Sequence, residues 1–254
     1  VIREWDDVAD EAKRKGLKYH FGYIICICVE KNSELPDGHP NKKYKGRAVF
    51  QGNQVVDENW EVAMFQDLGS SPANMDASRS ADCYGCAPGH DVQIADAEQA
   101  YIQAELKGTQ TWVSLPRDAQ TDAMKLTRRP VCMLKKALYG HPDSGSYWEE
   151  HCDKHVRSEG WEPVGPNWPS CYFHPKLKLY LVIYVDDFKL SGPTQNMKEG
   201  WAKLRKGLSI EPEKSLTFEE GVTSGTYLGC EQELRRTKMP DGKVITSFSY
   251  SMES

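Results

Sequence analysis

Asp186 and Asp187 stand side by side in an otherwise apolar run, residues 179–191 (LYLVIYVDDFKLS). Strands this apolar are usually buried on both faces. Two adjacent carboxylates there repel each other, and desolvating them costs on the order of several kcal/mol unless cations compensate. A hairpin turn lifts them to the tip of two strands. Asp is itself a favoured turn residue, so this segment alone reads equally well as a tight turn or as a metal site. A further carboxylate, Asp96, ends a short predicted strand, Val92 to Asp96. If that strand lies beside the hairpin tip, three carboxylates converge. Hard oxygen ligands without nearby His or Cys favour Mg2+ or Mn2+ over zinc. Two such ions activate an attacking hydroxyl and stabilise the leaving oxygen in an in-line phosphoryl transfer.

The elements that must position these groups are legible in outline. Trp5, Val8, Ala9 and Ala12 form one apolar stripe of a helix over residues 3–15, with acids at its start, Lys13, Arg14 and Lys15 at its end, and Gly16 as cap. Tyr19 to Glu30 reads as a strand, residues 33–40 (SELPDGHP) as a turn, and Tyr44 to Val56 as the returning strand of a hairpin with a basic rim. Ser71-Pro72 predicts entry into a helix that runs to about Cys86. Further on, the pattern predicts a helical turn over Ala100 to Glu105 and strands over Thr111 to Leu115 and Val131 to Leu134. A helix over Gly145 to Gly160 follows, then apolar strands over Tyr172 to Leu190 and a helix over Met197 to Leu208. Strands over Tyr227 to Leu234 and Lys243 to Tyr250 close the series. Helices and strands alternate irregularly, which predicts an α+β fold rather than a regular βαβ series.

With 254 residues, 39% hydrophobic and 27% charged, the chain has enough apolar content for a sizeable core and is not a disordered polymer. No apolar run approaches the ~20 residues of a membrane span. The first ten residues carry four carboxylates, unlike a signal peptide. The chain reads as a soluble, intracellular piece of a longer polypeptide, in a cytoplasmic particle or the nucleus. Eight cysteines in such a setting read as reduced thiols. Cys83 and Cys86 form a lone CxxC near His90, without the second pair a structural zinc wants. His151, Cys152 and His155 are explained by ordinary helix packing. The net charge of −5 disfavours phosphate backbones as a whole-molecule property. Two local runs are nevertheless basic: residues 42–47 (KKYKGR), with four cations, and residues 125–136 (KLTRRPVCMLKK), with five. Either lines a groove or is solvated surface.

These residues carry a family resemblance. Tyr184-Val185-Asp186-Asp187 resembles the YxDD motif of reverse transcriptases, and Asp96 followed five residues later by Tyr101 resembles their first catalytic motif. Residues 45–52 (KGRAVFQG) are similar to the fingers strand of copia-type retrotransposon polymerases. Residues 134–140 (LKKALYG) resemble their L-x-K-x-LYG segment, and Tyr147-Trp148 stands where they carry an aromatic pair. Residues 227–231 (YLGCE) resemble their primer grip. The resemblance covers most of residues 42–250 and implies a copia-type reverse transcriptase domain, an RNA-directed DNA polymerase. The implied fold is a right hand with catalytic carboxylates on a central antiparallel palm sheet and the thumb largely absent. Fingers would span residues 1–90 and about 104–143; the palm, including the primer grip, would span 91–103 and 144–254.

The resemblance further implies that Asp96 and Asp186 are the main ligands of two Mg2+ ions, for which Mn2+ can substitute, with Asp187 as a more variable member. Lys45 and Arg47 would hold the triphosphate, Arg47 through its planar fork. Tyr101 would lie under the incoming sugar and exclude a 2′-hydroxyl. Tyr139 and Gly140 would line the nucleotide pocket, and Leu228 and Gly229 would hold the primer end. The implied partners are an RNA or DNA template with primer, dNTPs and the rest of a retroelement polyprotein, with no membrane. The sequence departs from the family after Gly140: His141-Pro142 replaces the usual Leu-Lys, which removes a cation and a backbone donor. Two other readings stand beside this one. One is a decayed polymerase fold that only binds nucleic acid. The other is an aspartic protease through Asp143-Ser144-Gly145.

Overall fold

Residues 1–65, 70–216 and 224–251 are described by the computed structural model. In chain order the elements are β1 (Ile2–Glu4), α1 (Trp5–Lys15), β2 (Tyr19–Lys31), β3 (Lys43–Phe50), β4 (Val56–Asp57), α2 (Met75–Gly85) and β5 (His90–Asp96). Then come α3 (Ala100–Gln103), β6 (Gln110–Ser114), α4 (Asp122–Lys125), β7 (Pro130–Met133), α5 (Ser144–Ser158), β8 (Glu162–Pro163) and β9 (Cys171–His174). The last are β10 (Leu179–Tyr184), β11 (Asp187–Pro193), α6 (Thr194–Leu204), β12 (Lys214–Ser215), β13 (Ser224–Tyr227), β14 (Cys230–Lys238) and β15 (Val244–Ser251). The fold is mixed α/β with several sheets. The chain divides into two units, residues 1–69 with 101–148 and residues 70–100 with 149–254.

The first unit is built on a sheet of order β1-β7-β6-β2-β3, with β4 also paired to β2; β2 and β6 run parallel. The apolar stripe of α1 lies on this sheet: Trp5, Val8, Ala9 and Ala12 pack with Tyr19, Phe21, Trp112 and Val131. The expected capping at Gly16 is present, its N–H donating back to the Lys13 carbonyl at 3.2 Å. The returning strand of the predicted hairpin stops at Phe50 rather than Val56. Phe50 is buried, and its N–H turns away from β2 to the Tyr139 carbonyl, which ends the pairing.

The second unit holds an all-antiparallel sheet, β12-β5-β11-β10-β9-β8. Alternation along β10 and β11 divides its faces. Tyr180, Val182 and Lys189 face α2, whereas Leu179 and Leu190 face Gly200 of α6. Residues 70–90, which the palm-and-fingers reading assigns to the fingers, contain α2, and α2 packs on β5, β10 and β11 of this second unit. The helix begins at Met75, not at Ser71-Pro72, because Asn74 supplies the better cap: its side-chain oxygen accepts from Ala77 N–H at 2.8 Å. α6 ends at Leu204, four residues short of the predicted Leu208. Its last carbonyls, of Lys203 and Leu204, accept from the His155 ring at 3.2 and 2.9 Å. His155 thus serves a helix end rather than a metal.

A third sheet, β13-β14-β15, belongs to the same unit. The strand predicted over Tyr227 to Leu234 is interrupted. Tyr227 pairs with Cys230, and Leu228 and Gly229 form the loop between β13 and β14, with φ of 52° and 73°. Positive φ at both central residues marks a tight hairpin turn of the primed type, where Gly is at home and Leu is strained.

A buried ion pair ties these layers together. Lys189 and Asp82 are 0% and 1% exposed, with Lys189 Nζ 2.8 and 2.9 Å from the two carboxylate oxygens. The ammonium also donates to Ser78 Oγ at 2.9 Å and Gln232 Oε1 at 3.3 Å, and lies 4.1 Å from the centre of the Tyr227 ring. The Tyr250 hydroxyl donates to Asp82 at 2.9 Å. Burial pushes the Asp82 carboxyl up and the Lys189 ammonium down, and their attraction opposes both shifts. Removing one partner strands the other charge in the core, which costs about 3–5 kcal/mol. Lys189→Met is therefore expected to lose that much stability in urea denaturation, and Lys189→Met with Asp82→Leu to regain most of it. A double variant no more stable than the single would refute the pairing.

Candidate active site

Seven residue pairs hold β11 against β5, from Asp187↔Asp96 to Pro193↔His90. The two carboxylates are thus direct cross-strand partners, whose side chains share one face at close range. On its other edge β5 is held by residues 209–215: Glu211 N–H donates to the Asp96 carbonyl at 2.9 Å, and Lys214 pairs with Ile94. Asp96 therefore ends an interior strand, as the sequence predicts.

Asp186 lies in the two-residue loop between Tyr184 and Asp187, which pair across the hairpin. Its carbonyl accepts from Ala97 N–H at 2.7 Å, fastening the loop to the end of β5. Val185, the other loop residue, has φ of 56°. A β-branched residue there is a genuine outlier, costing on the order of 1–3 kcal/mol. Such strain persists where surrounding contacts over-determine the conformation, here the ladder on both sides and the Asp186–Ala97 bond.

The structure brings the three carboxylates into electrostatic contact. Burial pushes Asp187 up to about 7, helped by the charges of Asp186 and Asp96 and by a hydrogen bond between the Asp187 and Asp96 side chains. Asp187 thus keeps its proton more readily than an ordinary carboxyl, beside carboxylates whose charge opposes its own ionisation. A cation would relieve the same repulsion, and the all-oxygen donor set suits a hard divalent ion. The arrangement itself joins two of the three groups. Among the described residues no set of three or more His, Cys, Asp or Glu side chains stands ready to hold a metal ion.

The remaining residues of the sequence reading fall in two other places. Lys45 and Arg47 are exposed on β3 and alternate with Gly46, so they share one face of the β2–β3 ribbon, opposite Val29 and Ile27. Tyr139 and Gly140 lie at the end of that ribbon, where Phe50 N–H donates to the Tyr139 carbonyl at 2.7 Å. Arg47 and Lys45 are about 10 and 17 Å further along the strand. The Tyr101 ring packs on Tyr139 with centroids 4.6 Å apart. Gly140 has φ of 86°, and a Cβ there would collide with the Phe50 carbonyl oxygen, so this close approach requires glycine. Leu228 and Gly229 form the β13–β14 turn already described; Leu228 is half-buried and Gly229 exposed.

After Gly140 the chain builds a helix start. Asp143 N–H donates to His141 Nδ1 at 3.2 Å, and Ser144 Oγ exchanges hydrogen bonds with the Leu138 backbone at 2.8 and 2.9 Å. Burial pushes the His141 imidazole down to about 4, so it is neutral at pH 7. Cys86 is pushed up to about 11 by burial and stays a thiol.

Sequence reasoning missed the pairing of Lys189 with Asp82 and read Tyr227 only as part of the primer-grip segment. Tyr227 is 4% exposed and its hydroxyl has no hydrogen-bond partner among the described residues. It is pushed up by burial and then by the charges of Asp187 and Asp82. The available signal was a lysine two residues beyond Asp187 in an apolar strand, matched by a carboxylate on the Ala77–Ala81 face of α2.

No protein-family model matches the chain, and no curated protein matches it. Among solved structures it is similar to a foamy viral protease-reverse transcriptase in complex with double-stranded DNA. That likeness has 11% identity and a TM-score of 0.40 and covers 88% of this chain and 32% of the other. It is also similar to telomerase from Candida albicans in complex with a fragment of telomeric RNA, at 10% identity and a TM-score of 0.39, over 88% of this chain and 48% of that one. Both are loose likenesses, and the chain spans less than half the length of either. Among the described residues no helix is long and apolar enough to cross a membrane.

The Asp187 proton gives a stability signature. Its folded value, about 7, lies above the ordinary carboxylate value near 4. The contribution is therefore fully present below about pH 4 and is lost as pH rises through about 7. Asp187→Asn removes that loss. In metal-free buffer its melting temperature is expected to exceed wild type at pH 8 and the gap to close toward pH 4. A pH-independent gap would refute the raised Asp187 value.

Proposed function

We propose that this chain is a nucleotidyl-transferring polymerase domain, specifically an RNA-directed DNA polymerase of the copia type. The observation that carries the reading is the carboxylate cluster: Asp186 at the tip of an apolar hairpin, and Asp187 paired with Asp96 on the neighbouring strand. The YxDD-like motif contributes Asp186 and Asp187 and the Asp-x4-aromatic motif contributes Asp96, which supports the reading.

In this reading Asp96, Asp186 and Asp187 would hold two divalent cations, Mg2+ or Mn2+, which supply neutralisation of the charge developing at phosphorus and activation of the primer hydroxyl. Asp187 must release its proton to take part, and a bound cation would favour that release. Lys45 and Arg47 present two exposed cations on one ribbon face for the triphosphate of a dNTP. Tyr101 supplies a rigid ring, braced by Tyr139, that leaves no room for a 2′-hydroxyl. Gly140 leaves backbone accessible in the nucleotide pocket, and the Leu228-Gly229 turn supports the primer end. The partners are a primed RNA or DNA template, dNTPs and the rest of a retroelement polyprotein.

A second reading, a polymerase-like fold that binds nucleic acid without chemistry, is favoured by one observation: Asp96 and Asp187 direct their oxygens at each other. Primer extension on an RNA template separates the two. Wild type with Mg2+ is expected to extend, and Asp186→Asn to fall on the order of a hundredfold or more. Asp143→Asn is expected to extend normally. Extension unaffected by Asp186→Asn would sink the metal-site assignment, and template binding without extension in any metal would favour the second reading.

Tyr101→Ala is expected to raise ribonucleotide incorporation relative to dNTPs by about tenfold or more, the scale on which a pocket wall discriminates a small group. An unchanged preference in single-nucleotide insertion would refute the gating role.

A further inference from the structure

The register of the second sheet builds a row that none of this chemistry uses. Glu162 of β8 pairs with Phe173 of β9, and Phe173 pairs with Tyr180 of β10. Direct partners share a face, so a carboxylate and two aromatic rings stand side by side across three strands. Tyr84, from the last turn of α2, closes the row from above. Its ring is inclined 62° to Phe173 with centroids 6.5 Å apart. Together with Pro163 and Val164 these residues line a cavity of about 430 Å³. That lies within the roughly 300–1,000 Å³ typical of small-molecule sites.

The chemistry of the walls selects the occupant. The Tyr84 hydroxyl is committed to the Lys178 carbonyl at 2.8 Å, and the Tyr180 hydroxyl is hydrogen-bonded to the Cys171 thiol. The cavity therefore offers aromatic rings and one carboxylate at its exposed rim. Among the described residues no cation pairs with Glu162. An ordinary ammonium is strongly hydrated and keeps its water at so open a rim, so it gains little from the rings. A methylated ammonium has little hydration to lose, and it is drawn both to ring faces and to the carboxylate. We propose that this cavity is an aromatic cage for a methylated ammonium group, carried either by a free small molecule such as choline or by a methylated lysine of a polypeptide.

The test is titration calorimetry on the full chain, which reads binding alone and is independent of whether the chain extends a primer. The probes are choline and its neutral isostere, in which a tert-butyl group replaces trimethylammonium. A trimethyllysine peptide and the same peptide with unmodified lysine form the second pair. At least one methylated cation is expected to bind about tenfold or more tightly than its uncharged or unmethylated counterpart. Preference for choline or for the peptide identifies the source. Glu162 is exposed, so Glu162→Gln leaves the fold intact and is expected to weaken binding several-fold. Phe173→Leu, with its melting curve checked, is expected to abolish it. Equal binding of the isostere, binding unchanged in Glu162→Gln, or no binding of either methylated probe would overturn the proposal.

Discussion

The pairing of β11 with β5 places Asp187 opposite Asp96, and a slip of one residue would turn every side chain of β11 to the other face. Phe188 and Leu190, both fully buried, would then exchange faces with Lys189. Burial of opposite kinds on the two faces thus fixes the register, and the register fixes the carboxylates. The Asp186 carbonyl, held by Ala97, and the strained Val185 complete the lock at the tip. The cluster is a by-product of core packing in the sense that the core determines where it lies.

Lys189 is the one cation on that buried strand, and it makes the polar face of the sheet specific. A fully apolar residue would pack against α2 equally well in several arrangements. The ammonium accepts only positions where Asp82, Ser78 and Gln232 converge, which ties α2 and β14 to the strand that begins at Asp187. Tyr250 braces the same carboxylate from β15. The network begins two residues from the acidic cluster, so the unit that carries the carboxylates is held together by the opposite electrostatic solution. Charge is buried and paired in one case; in the other, like charges stand together at strand ends where Asp96 is exposed and Asp186 and Asp187 are half-buried. Asp187 is pushed up to about 7 by its burial and by the charges of Asp186 and Asp96.

The overall charge of −5 says little about such a molecule. The basic residues of the 42–47 run are arranged by strand alternation, with Lys43, Lys45 and Arg47 on one face of an exposed ribbon and Lys31 opposite Lys43. A surface of this kind can meet phosphates while acids elsewhere set the net charge. Local geometry, rather than composition, decides which partners a face accepts.

The amino-acid sequence by itself determined the elements with strong local signals. These are the α1 stripe with its Gly16 cap, the β2–β3 hairpin, the apolar β10–β11 pair and the carboxylates at its tip. In each, hydrophobic period and turn chemistry act within a few residues of one another. It did not determine where β3 ends, because that depends on the Tyr139 carbonyl, far along the chain from Phe50. Nor did it reveal the break at Leu228-Gly229, since Leu gives no sign of positive φ. Only the tertiary structure decided that Asp187 stands opposite Asp96, that Lys189 finds Asp82, and that Glu162, Phe173 and Tyr180 form one row. Each of these depends on which strands become neighbours and in what register. That choice is made by burial summed over the whole sheet, which no local stretch of sequence contains.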